Sequence, residues 1–298
     1  MNEALGWALS QAVRLVDVWR AREVWVSFVL MAGLVVLTPR LRRGGGSRAY
    51  WNRGLWTDLL YTLFYLGGIY SMLVSASATR GLNALVARYA PFLRQDLLSF
   101  LPVVAWFAVL VVAMDFCGYW AHRLLHRSRV LWLFHGIHHS QTDLNGFTVF
   151  RFHAGDVFFR LLVQYVPFTL LGSPDVAGVP LLWLTAPLQV LHESLAHCDL
   201  PWTFGPVGRV VISPAFHRIH HSAEGRHHRS NYGLVFSFWD SLFGTATWSA
   251  ERPAAYGAPE LGVPESFARQ IAFPFLALAR RLRPAVADPA VAPGRTPS

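Results

Sequence analysis

Cysteine and charge are both scarce in this sequence, and each scarcity excludes a class of protein. The 298 residues contain 2 cysteines, Cys117 and Cys198, too few for the disulfide framework of a small secreted domain. Charged residues make up 14% of the chain, against roughly a quarter in an average soluble domain. The amino terminus has no basic segment and no clear cleavage site, so we expect no cleavable signal peptide. We interpret Cys198 as a small buried thiol rather than a metal ligand.

Apolar stretches take the place of charge, since 53% of the residues are hydrophobic. About 20 consecutive apolar residues can cross a bilayer as a helix. Such helices are predicted at residues 24–37 (preceded by a further apolar stretch at 4–19), 55–78 and 98–121, with a helical hairpin at 157–171 and 179–196. The sequence therefore predicts an all-α fold, a multi-pass membrane helical bundle with four to six inserted helices.

The chain is expected to form one domain. No Ser/Gly-rich linker divides its middle, so residues 1–283 are predicted to be a single integral-membrane domain. The run at 43–48 is a polar loop that is too short to separate two domains. Residues 284–298 are rich in Pro and Ala and are predicted to be a disordered tail.

The basic charge follows the predicted helices. The net charge is +9, and arginines are concentrated in two short regions, residues 40–53 and 123–129. Short loops rich in Arg stay on the cytoplasmic side of a membrane, and the two spans between these regions place both on that side. We therefore expect the charge to set the topology, and we expect no nucleic-acid partner.

The most specific feature is the phrase Phe-His-x-Ile-His-His-Ser, which occurs at 134–140 and again at 216–222. A third element, His-Arg-Leu-Leu-His, occupies 122–126. Neutral imidazole is the commonest metal ligand, and residues three or four apart share one face of a helix. Eight histidines exceed the four ligands of one structural zinc, so two neighbouring metal ions are predicted. The eight are His122, His126, His135, His138, His139, His217, His220 and His221.

Asp115 lies on one helical stripe with Tyr119, His122 and His126. An acidic residue near the end of an apolar span is a functional candidate. We expect the Asp115 carboxylate to accept the free ring N–H of a ligand histidine, which would set the tautomer of that ring. The alternative is a structural ion pair with Arg123.

Several motifs, in order, resemble one known family. They are Asp-x-x-x-Tyr-Trp-x-His-Arg-x-x-His from Asp115, the two His-x-x-His-His phrases, Asn-Tyr-Gly at 231–233 and Trp-Asp-x-x-Phe-Gly-Thr at 239–245. Together they resemble the fatty acid hydroxylase and sterol desaturase superfamily over about residues 98–248. The resemblance implies an integral membrane di-iron oxygenase with a lipid substrate. From the arginine distribution, we expect the metals to lie in a cytoplasmic helical cap.

The resemblance also implies ligands outside the repeated phrases. It adds His197 to the eight histidines, in a segment where the usual small-residue–Asn pattern of the family is altered. His192, five residues earlier, and His153, in an Arg-x-His phrase, are possible ligands or neighbours of ligands. We interpret His227 and His228 as surface residues of a polar loop.

The ligand type restricts the chemistry. Imidazole suits zinc, copper, iron and nickel, and zinc has no redox chemistry. Two ferrous ions with O2 as co-substrate suit a histidine site beside a membrane, although zinc is possible in the protein as purified. The sequence has no evident dinucleotide-binding glycine fingerprint or cytochrome domain, so a separate electron-transfer protein is expected. Arg123, Arg127 and Arg218 are candidates for docking an acidic donor.

The function predicted from the sequence is O2-dependent hydroxylation or desaturation of a sterol, fatty acyl or related membrane lipid. Two alternatives stay open. One keeps the metal chemistry and changes the substrate, as an ether-lipid monooxygenase or a carotenoid hydroxylase. The other is a membrane zinc-binding protein, such as a metallohydrolase. Transport is disfavoured, because transporters place ionisable residues at the bilayer midplane whereas these histidines follow the ends of the predicted spans.

Overall fold

The computed structural model describes residues 21–41, 51–70, 73–74, 76–172, 185–249 and 251–282. Four predictions lie wholly or partly outside the described residues. They concern the first apolar stretch at 4–19, the polar loop at 43–48, the start of the second hairpin limb at 179–184, and the tail at 284–298.

The described residues are helical, as predicted. Their α-helices, in chain order, are α1 (Arg22–Leu41), α2 (Arg53–Leu66), α3 (Ala76–Tyr89), α4 (Val103–Arg127), α5 (Leu131–His135), α6 (Ala154–Leu171), α7 (Thr185–Ala196), α8 (Pro214–His220), α9 (Phe238–Leu242) and α10 (Phe267–Leu282). Short 3-10 helices lie at Pro91–Leu93, His138–Ser140, Thr148–Phe150, Gly205–Arg209, His227–Arg229 and Pro259–Leu261. The same residues form no β-strand, only two isolated bridges, Val211–Phe236 and Ser222–Tyr256. The all-α prediction is confirmed.

Three of the described helices are long and apolar enough to cross a membrane: α1, α4 and α6, with 20, 25 and 18 residues. The prediction of one continuous span over 55–78 is wrong. Helix α2 ends at Leu66 because Gly67 and Gly68 follow, and Gly68 has a φ of 79°, which helical residues do not adopt. Its 14 residues extend about 21 Å at 1.5 Å per residue, less than the hydrocarbon thickness of about 30 Å.

The three long helices expose apolar side chains. Val29 of α1, Val104 of α4 and Val166 of α6 are 65%, 66% and 53% exposed. A soluble helix turns polar residues outward and buries its apolar stripe. Exposed valines on helices of this length are typical of lipid-facing surfaces, so the packing supports the insertion that the sequence predicts.

Helices α4 and α6 pack against each other and run in opposite directions. Near the start of α4, the Trp106 indole N–H donates to the carbonyl of Leu171, at the end of α6 (3.1 Å). The end of α4, which carries His122, therefore lies beside the start of α6, which carries Asp156. Antiparallel packing thus brings the histidine-bearing end of one long helix to a carboxylate of the other.

A buried carboxylate in α2 fixes the segment that follows the first histidine phrase. Asp58 is fully buried and accepts hydrogen bonds from four side chains of that segment. The donors are Gln141, Asn145 (2.7 Å), Thr148 (2.9 Å) and Arg151, the last through Nε. The Arg151 guanidinium also donates to Ser140 Oγ (3.0 Å) and to the carbonyl of Gly54 (2.9 Å). This network ties residues 140–151 to α2 and so holds the first phrase in place.

Replacing Asp58 with Ala should lower the free energy of unfolding by about 3–5 kcal/mol, the usual cost of leaving one partner of a buried ion pair uncompensated. Thermal unfolding of the detergent-solubilised protein would measure the change. Glu265→Ala is the matched control, because its 3.9 Å pair with Arg53 is solvent-exposed and should contribute less than about 1 kcal/mol. Equal effects of the two variants would contradict the role given to Asp58.

Candidate metal centre

The histidines come from the ends of short or terminating helices. His122 and His126 lie one turn apart at the end of α4, and His135 is the last residue of α5. His197 follows α7 directly, while the second phrase lies on α8 and its C-cap. These helix ends come from distant parts of the chain and place their histidine side chains in a common space.

Nine histidines lie in two groups among the described residues. Within each group, the available ring nitrogens lie within 4.8 Å of one another. Group A is His122, His126, His135, His139 and His220, and group B is His138, His197, His217 and His221. All are buried except His126, which is half-buried. The nine are the residues that the sequence analysis names as ligands; the structure brings them together, and ligation itself stays a prediction.

Each histidine phrase serves both groups. The first gives His135 and His139 to group A and His138 to group B, and the second gives His220 to group A and His217 and His221 to group B. Adjacent histidines of a tight helical turn point in different directions, so the doubled His-His in each phrase divides between the groups. The repeated phrase therefore builds two linked sites rather than one site per copy.

Backbone carbonyls set the tautomers of three rings. The Nδ1–H groups of His122, His197 and His220 donate to the carbonyls of Tyr232, Glu193 and Ser230, each over 2.7 Å. A carbonyl oxygen can only accept, so the proton of each ring lies on Nδ1. The Nε2 atom of each ring is thus left with a lone pair that faces its own group.

The facing lone pairs fit metal ions. The Nε2 atoms of His122 and His220 are 2.9 Å apart, and the Nε2 atom of His197 lies 3.1 Å from that of His138 and 3.0 Å from that of His217. Two nitrogens bound to one metal at about 2.1 Å lie about 3.0–3.4 Å apart. His122 and His220 have no proton to share between their Nε2 atoms, so their lone pairs repel, and a cation between them would remove the repulsion.

Burial keeps these imidazoles neutral. It lowers the pKa of His138, His139, His217, His220 and His221 well below the usual value of 6.5. It also lowers the pKa of His197 to about 4. Metal binding requires the neutral ring. The site therefore does not have to release protons from these rings at neutral pH in order to bind a metal.

Asp156 orients one ligand through a charged hydrogen bond. Its fully buried carboxylate accepts from Nδ1 of His135 (2.6 Å) and from Nε of Arg160 (2.7 Å), one turn further along α6. A carboxylate on the free ring nitrogen fixes the orientation of a ligand histidine and strengthens it as a donor to metal. The sequence analysis missed Asp156, although its four-residue spacing to Arg160 after the Arg-x-His phrase was a usable signal.

Comparison with known proteins agrees with this geometry. Residues 107–245, which include both groups, match the family model of the fatty acid hydroxylases. This match covers just under half of the chain. An ornithine lipid hydroxylase of Rhizobium tropici is 35% identical over 167 residues, which are 55% of this chain and 49% of that protein. No solved structure matches.

Two further relatives carry other lipid names. The human alkylglycerol monooxygenase is 29% identical over 140 residues, 47% of this chain and 30% of that protein. Methylsterol monooxygenase 2-2 of Arabidopsis thaliana is 29% identical over 177 residues, 55% of this chain and 63% of that protein. The chain therefore spans about half or less of the ornithine lipid and alkylglycerol enzymes.

Asp115 does not have the role predicted for it. Its carboxylate accepts from the backbone N–H groups of Val235 (2.9 Å) and Phe236 (3.1 Å) and from the Trp239 indole (2.9 Å). It lies seven residues before His122, about 10.5 Å along the helix axis, too far to contact that ring. The alternative pair with Arg123 does not form within the described residues. Asp115 instead anchors the segment after the second phrase to α4.

His153 and His192 lie outside both groups. His153 caps α6, since its Nδ1 accepts from the N–H of Gly155 (2.9 Å) while its Nε2 donates to the carbonyl of Ile271 (3.0 Å). Both of its nitrogens are used by the backbone, so the prediction that it is a possible ligand is wrong. His192 donates to the carbonyl of Ile212 (2.9 Å) and holds α7 against the segment before α8.

His228 is buried, so its assignment to the surface is wrong. Only 6% of the residue is exposed, and its ring centroid lies 5.4 Å from that of His139 and 5.2 Å from that of Trp132. The 3-10 turn at His227–Arg229 packs against α4 and α8, which places His228 behind group A. Cys198 is buried, as predicted, with its thiol donating to the carbonyl of Ser194.

Asp156→Asn should weaken metal binding by about 10- to 100-fold, the usual effect of removing a partner that orients a ligand. An asparagine side chain can turn its amide N–H toward His135 and favour the wrong tautomer of that ring. Competition with a metal-binding dye would measure the affinity. Asp115→Asn is the comparison, because it changes a buried carboxylate of the same domain that bonds no histidine. A larger loss of metal from Asp115→Asn would contradict the assignment.

Proposed function

We propose that this protein is an O2-dependent di-iron oxygenase that hydroxylates or desaturates a membrane lipid. The observation that carries the proposal is the pair of buried, neutral histidine groups, whose lone pairs face one another inside the region that matches the fatty acid hydroxylase family model. Its relatives are named as lipid hydroxylases and monooxygenases. That shared naming favours an oxidative reaction over the hydrolytic alternative with zinc.

Groups A and B would each hold one iron. Iron there would supply the activation of O2 and the oxidation of an unactivated C–H bond. Hydroxylation consumes one O2, two electrons and two protons, and it releases one water molecule. The protein's own part is to hold the ligands in their neutral tautomers, to position the target carbon and to exclude bulk water. Zinc would fit the same nitrogens in protein purified without iron.

The electrons would come from a separate protein. Arg127 is exposed at the end of α4 and is suited to contact an acidic donor. Arg218 is not available for such docking, contrary to the prediction, because it is 2% exposed and lies 3.6 Å from the carboxylate of Asp199. Arg123 is half-buried and donates to the Tyr119 hydroxyl (3.1 Å). The exposed guanidinium of Arg127 is equally suited to contact lipid headgroups.

The relatives support three lipid classes as substrates. Their names refer to ornithine lipids, alkylglycerols and methylsterols, so an ether-lipid monooxygenase is included among the candidates. Polar lipids built on acyl chains are favoured here by the ornithine lipid hydroxylase, which is the relative with 35% identity. Carotenoid hydroxylation stays an alternative with the same metal chemistry.

The function can be tested with isotopic oxygen. Anaerobically purified protein should bind about two irons by its nine-ligand count, and it should transfer one atom of 18O2 to a lipid when reductant is supplied. Mass spectrometry of extracted lipids would detect the label. His138→Ala and His221→Ala should each abolish the transfer, because each removes a metal bond. Full lipid-modifying activity with zinc and without iron would contradict the oxygenase proposal.

We further propose that the histidine groups lie on the cytoplasmic side, because arginines are concentrated at residues 40–53 and 123–129. The hydrogen bonds of Asp58 to Asn145 and Thr148 hold the start of α2 beside the segment that follows the first histidine phrase, so both regions lie at the same end of the bundle. Cysteines introduced at Arg129 and Glu224, both exposed, should react with an impermeant reagent only from the cytoplasm. A cysteine at exposed Gln95 should react from the opposite side. The background variant carries Cys117→Ser. Reaction of the Arg129 and Glu224 sites from opposite sides would contradict a single cytoplasmic site.

A further inference from the structure

A small polar cavity of about 190 Å³ reaches the histidines. Its wall includes His122, His138, His197 and His217, and beside them the side chains of Arg160, Gln164, Gln189 and Glu193. Sites for small molecules usually measure about 300–1,000 Å³ and are mostly apolar. This cavity is smaller than that, and the eight side chains named above are polar or charged, so it suits a polar portion of a substrate rather than an acyl chain.

The cavity holds two opposite charges apart. Arg160 uses Nε for Asp156 and stacks over the Phe152 ring at 5.1 Å, and within the described residues its Nη atoms make no hydrogen bond. Glu193 Oε1 accepts from Gln189 (2.9 Å), and no described residue donates to Oε2. A guanidinium has five N–H donors and a carboxylate about four acceptor positions. Both side chains therefore keep hydrogen-bonding capacity that a ligand can use.

Arg160 and Glu193 do not pair with each other. No ion pair within 4.0 Å joins them among the described residues, since Arg160 is held by Asp156 on its own helix while Glu193 lies on α7. Taking charges out of water is unfavourable unless partners replace the water. A ligand portion with a positive and a negative or strongly polar end would supply both partners at once.

An apolar cavity adjoins the polar one. It measures about 550 Å³, and its wall includes Phe107, Leu110, Val111, Met114 and Leu188. The two cavities share Gln164, Gln189 and Leu234, so they meet at the two glutamines. Leu188 is 57% exposed, which opens the apolar cavity to the exterior between α4 and α7. Its size and lining suit the acyl chain of a lipid that enters from the bilayer.

We propose that the polar cavity binds the headgroup of the lipid, with an amine against Glu193 and an oxygen anion or carbonyl against Arg160, while the acyl chain lies in the apolar cavity. The proposal rests on the lipid-oxygenase function proposed above. The carbon beside the histidines then belongs to the headgroup end of the lipid. The oxygen atom is therefore inserted there, into a C–H bond, with the same balance of O2, electrons and water as above.

A third cavity would allow the lipid to bind in the opposite orientation, and the test below distinguishes the two orientations. It measures about 570 Å³, shares Gln164 and Met114 with the apolar cavity, and has Arg94 and Asp96 in its wall. A headgroup bound near Arg94 would direct the tail toward the histidines, and the oxygen would enter the acyl chain. The polar lining beside the histidines favours the headgroup arrangement, because an unpaired buried charge beside a methylene chain is unfavourable.

The test uses the full chain in lipid nanodiscs. The first probe is a diamino acid acylated on its α-amine, which keeps a free side-chain amine and a carboxylate. The second is the same lipid with that side-chain amine acetylated. With iron, reductant and 18O2, we expect the label in the headgroup fragment by tandem mass spectrometry. Acetylation should lower kcat/KM by about 10- to 100-fold, because it removes a hydrogen bond between the charged amine and Glu193.

Glu193→Gln keeps the shape and the contact with Gln189 but removes the charge. We expect it to lower kcat/KM for the free-amine lipid by about 10- to 100-fold and to leave the acetylated lipid nearly unchanged. Glu251→Gln, at an exposed position outside every cavity described above, is the matched control and should behave as the unmodified protein. If the role of Glu193 were merely structural, Glu193→Gln would lower kcat/KM equally for both lipids.

A binding measurement separates this proposal from the oxygenase function. Zinc has no redox chemistry, so we expect zinc-loaded protein to bind the lipid without oxidising it. Native mass spectrometry should then show that it retains the free-amine lipid over the acetylated one, and that Glu193→Gln loses this preference. Label in the acyl chain, or equal retention of the two lipids, would overturn the headgroup assignment and leave the oxygenase function standing. Absence of label from every lipid, with the amine preference intact, would overturn the oxygenase function alone.

Discussion

The mutual approach of nine neutral imidazoles is the constraint on which the rest of this structure depends. The Nε2 lone pairs of His122 and His220 face each other at 2.9 Å and repel unless a cation lies between them. The protein must therefore fix the rings before a metal arrives. It does so with acceptors on the far side of four rings: the carbonyls of Tyr232, Glu193 and Ser230, and the carboxylate of Asp156. Burial then keeps the rings uncharged and ready to bind.

Two long-range anchors hold the segments that follow the histidine phrases. Asp58 on α2 holds the segment after the first phrase, and Asp115 on α4 holds the segment after the second. Both are carboxylates that each accept from several donors, so each fixes a length of chain that lies outside the long helices. The antiparallel contact of α4 and α6 adds Asp156. The metal centre is thus a product of tertiary contacts around short helices, in keeping with its location at the end of a membrane bundle.

The polar cavity connects the metal centre to the proposed substrate site. Arg160 both holds Asp156 and lines the cavity, so the support of a ligand histidine and the wall of the substrate site are one structure. The two glutamines mark where polar and apolar lining meet. A lipid has the same division between headgroup and chain. The match between them is the physical basis for assigning the oxidation to the headgroup end.

Sequence alone determined the helical class, the apolar spans at α1, α4 and α6, and the nine histidines, because helical periodicity, hydropathy and repeated motifs are local properties of a chain. It could not determine that each phrase divides between two groups, since that depends on where four distant helix ends meet. The predicted continuous span over 55–78 does not form, because Gly67 and Gly68 end α2. The role expected for Asp115 belongs instead to Asp156, for which the sequence predicted no role. Which carboxylate reaches an imidazole is decided by the antiparallel packing of α4 and α6, and only the tertiary structure contains that information.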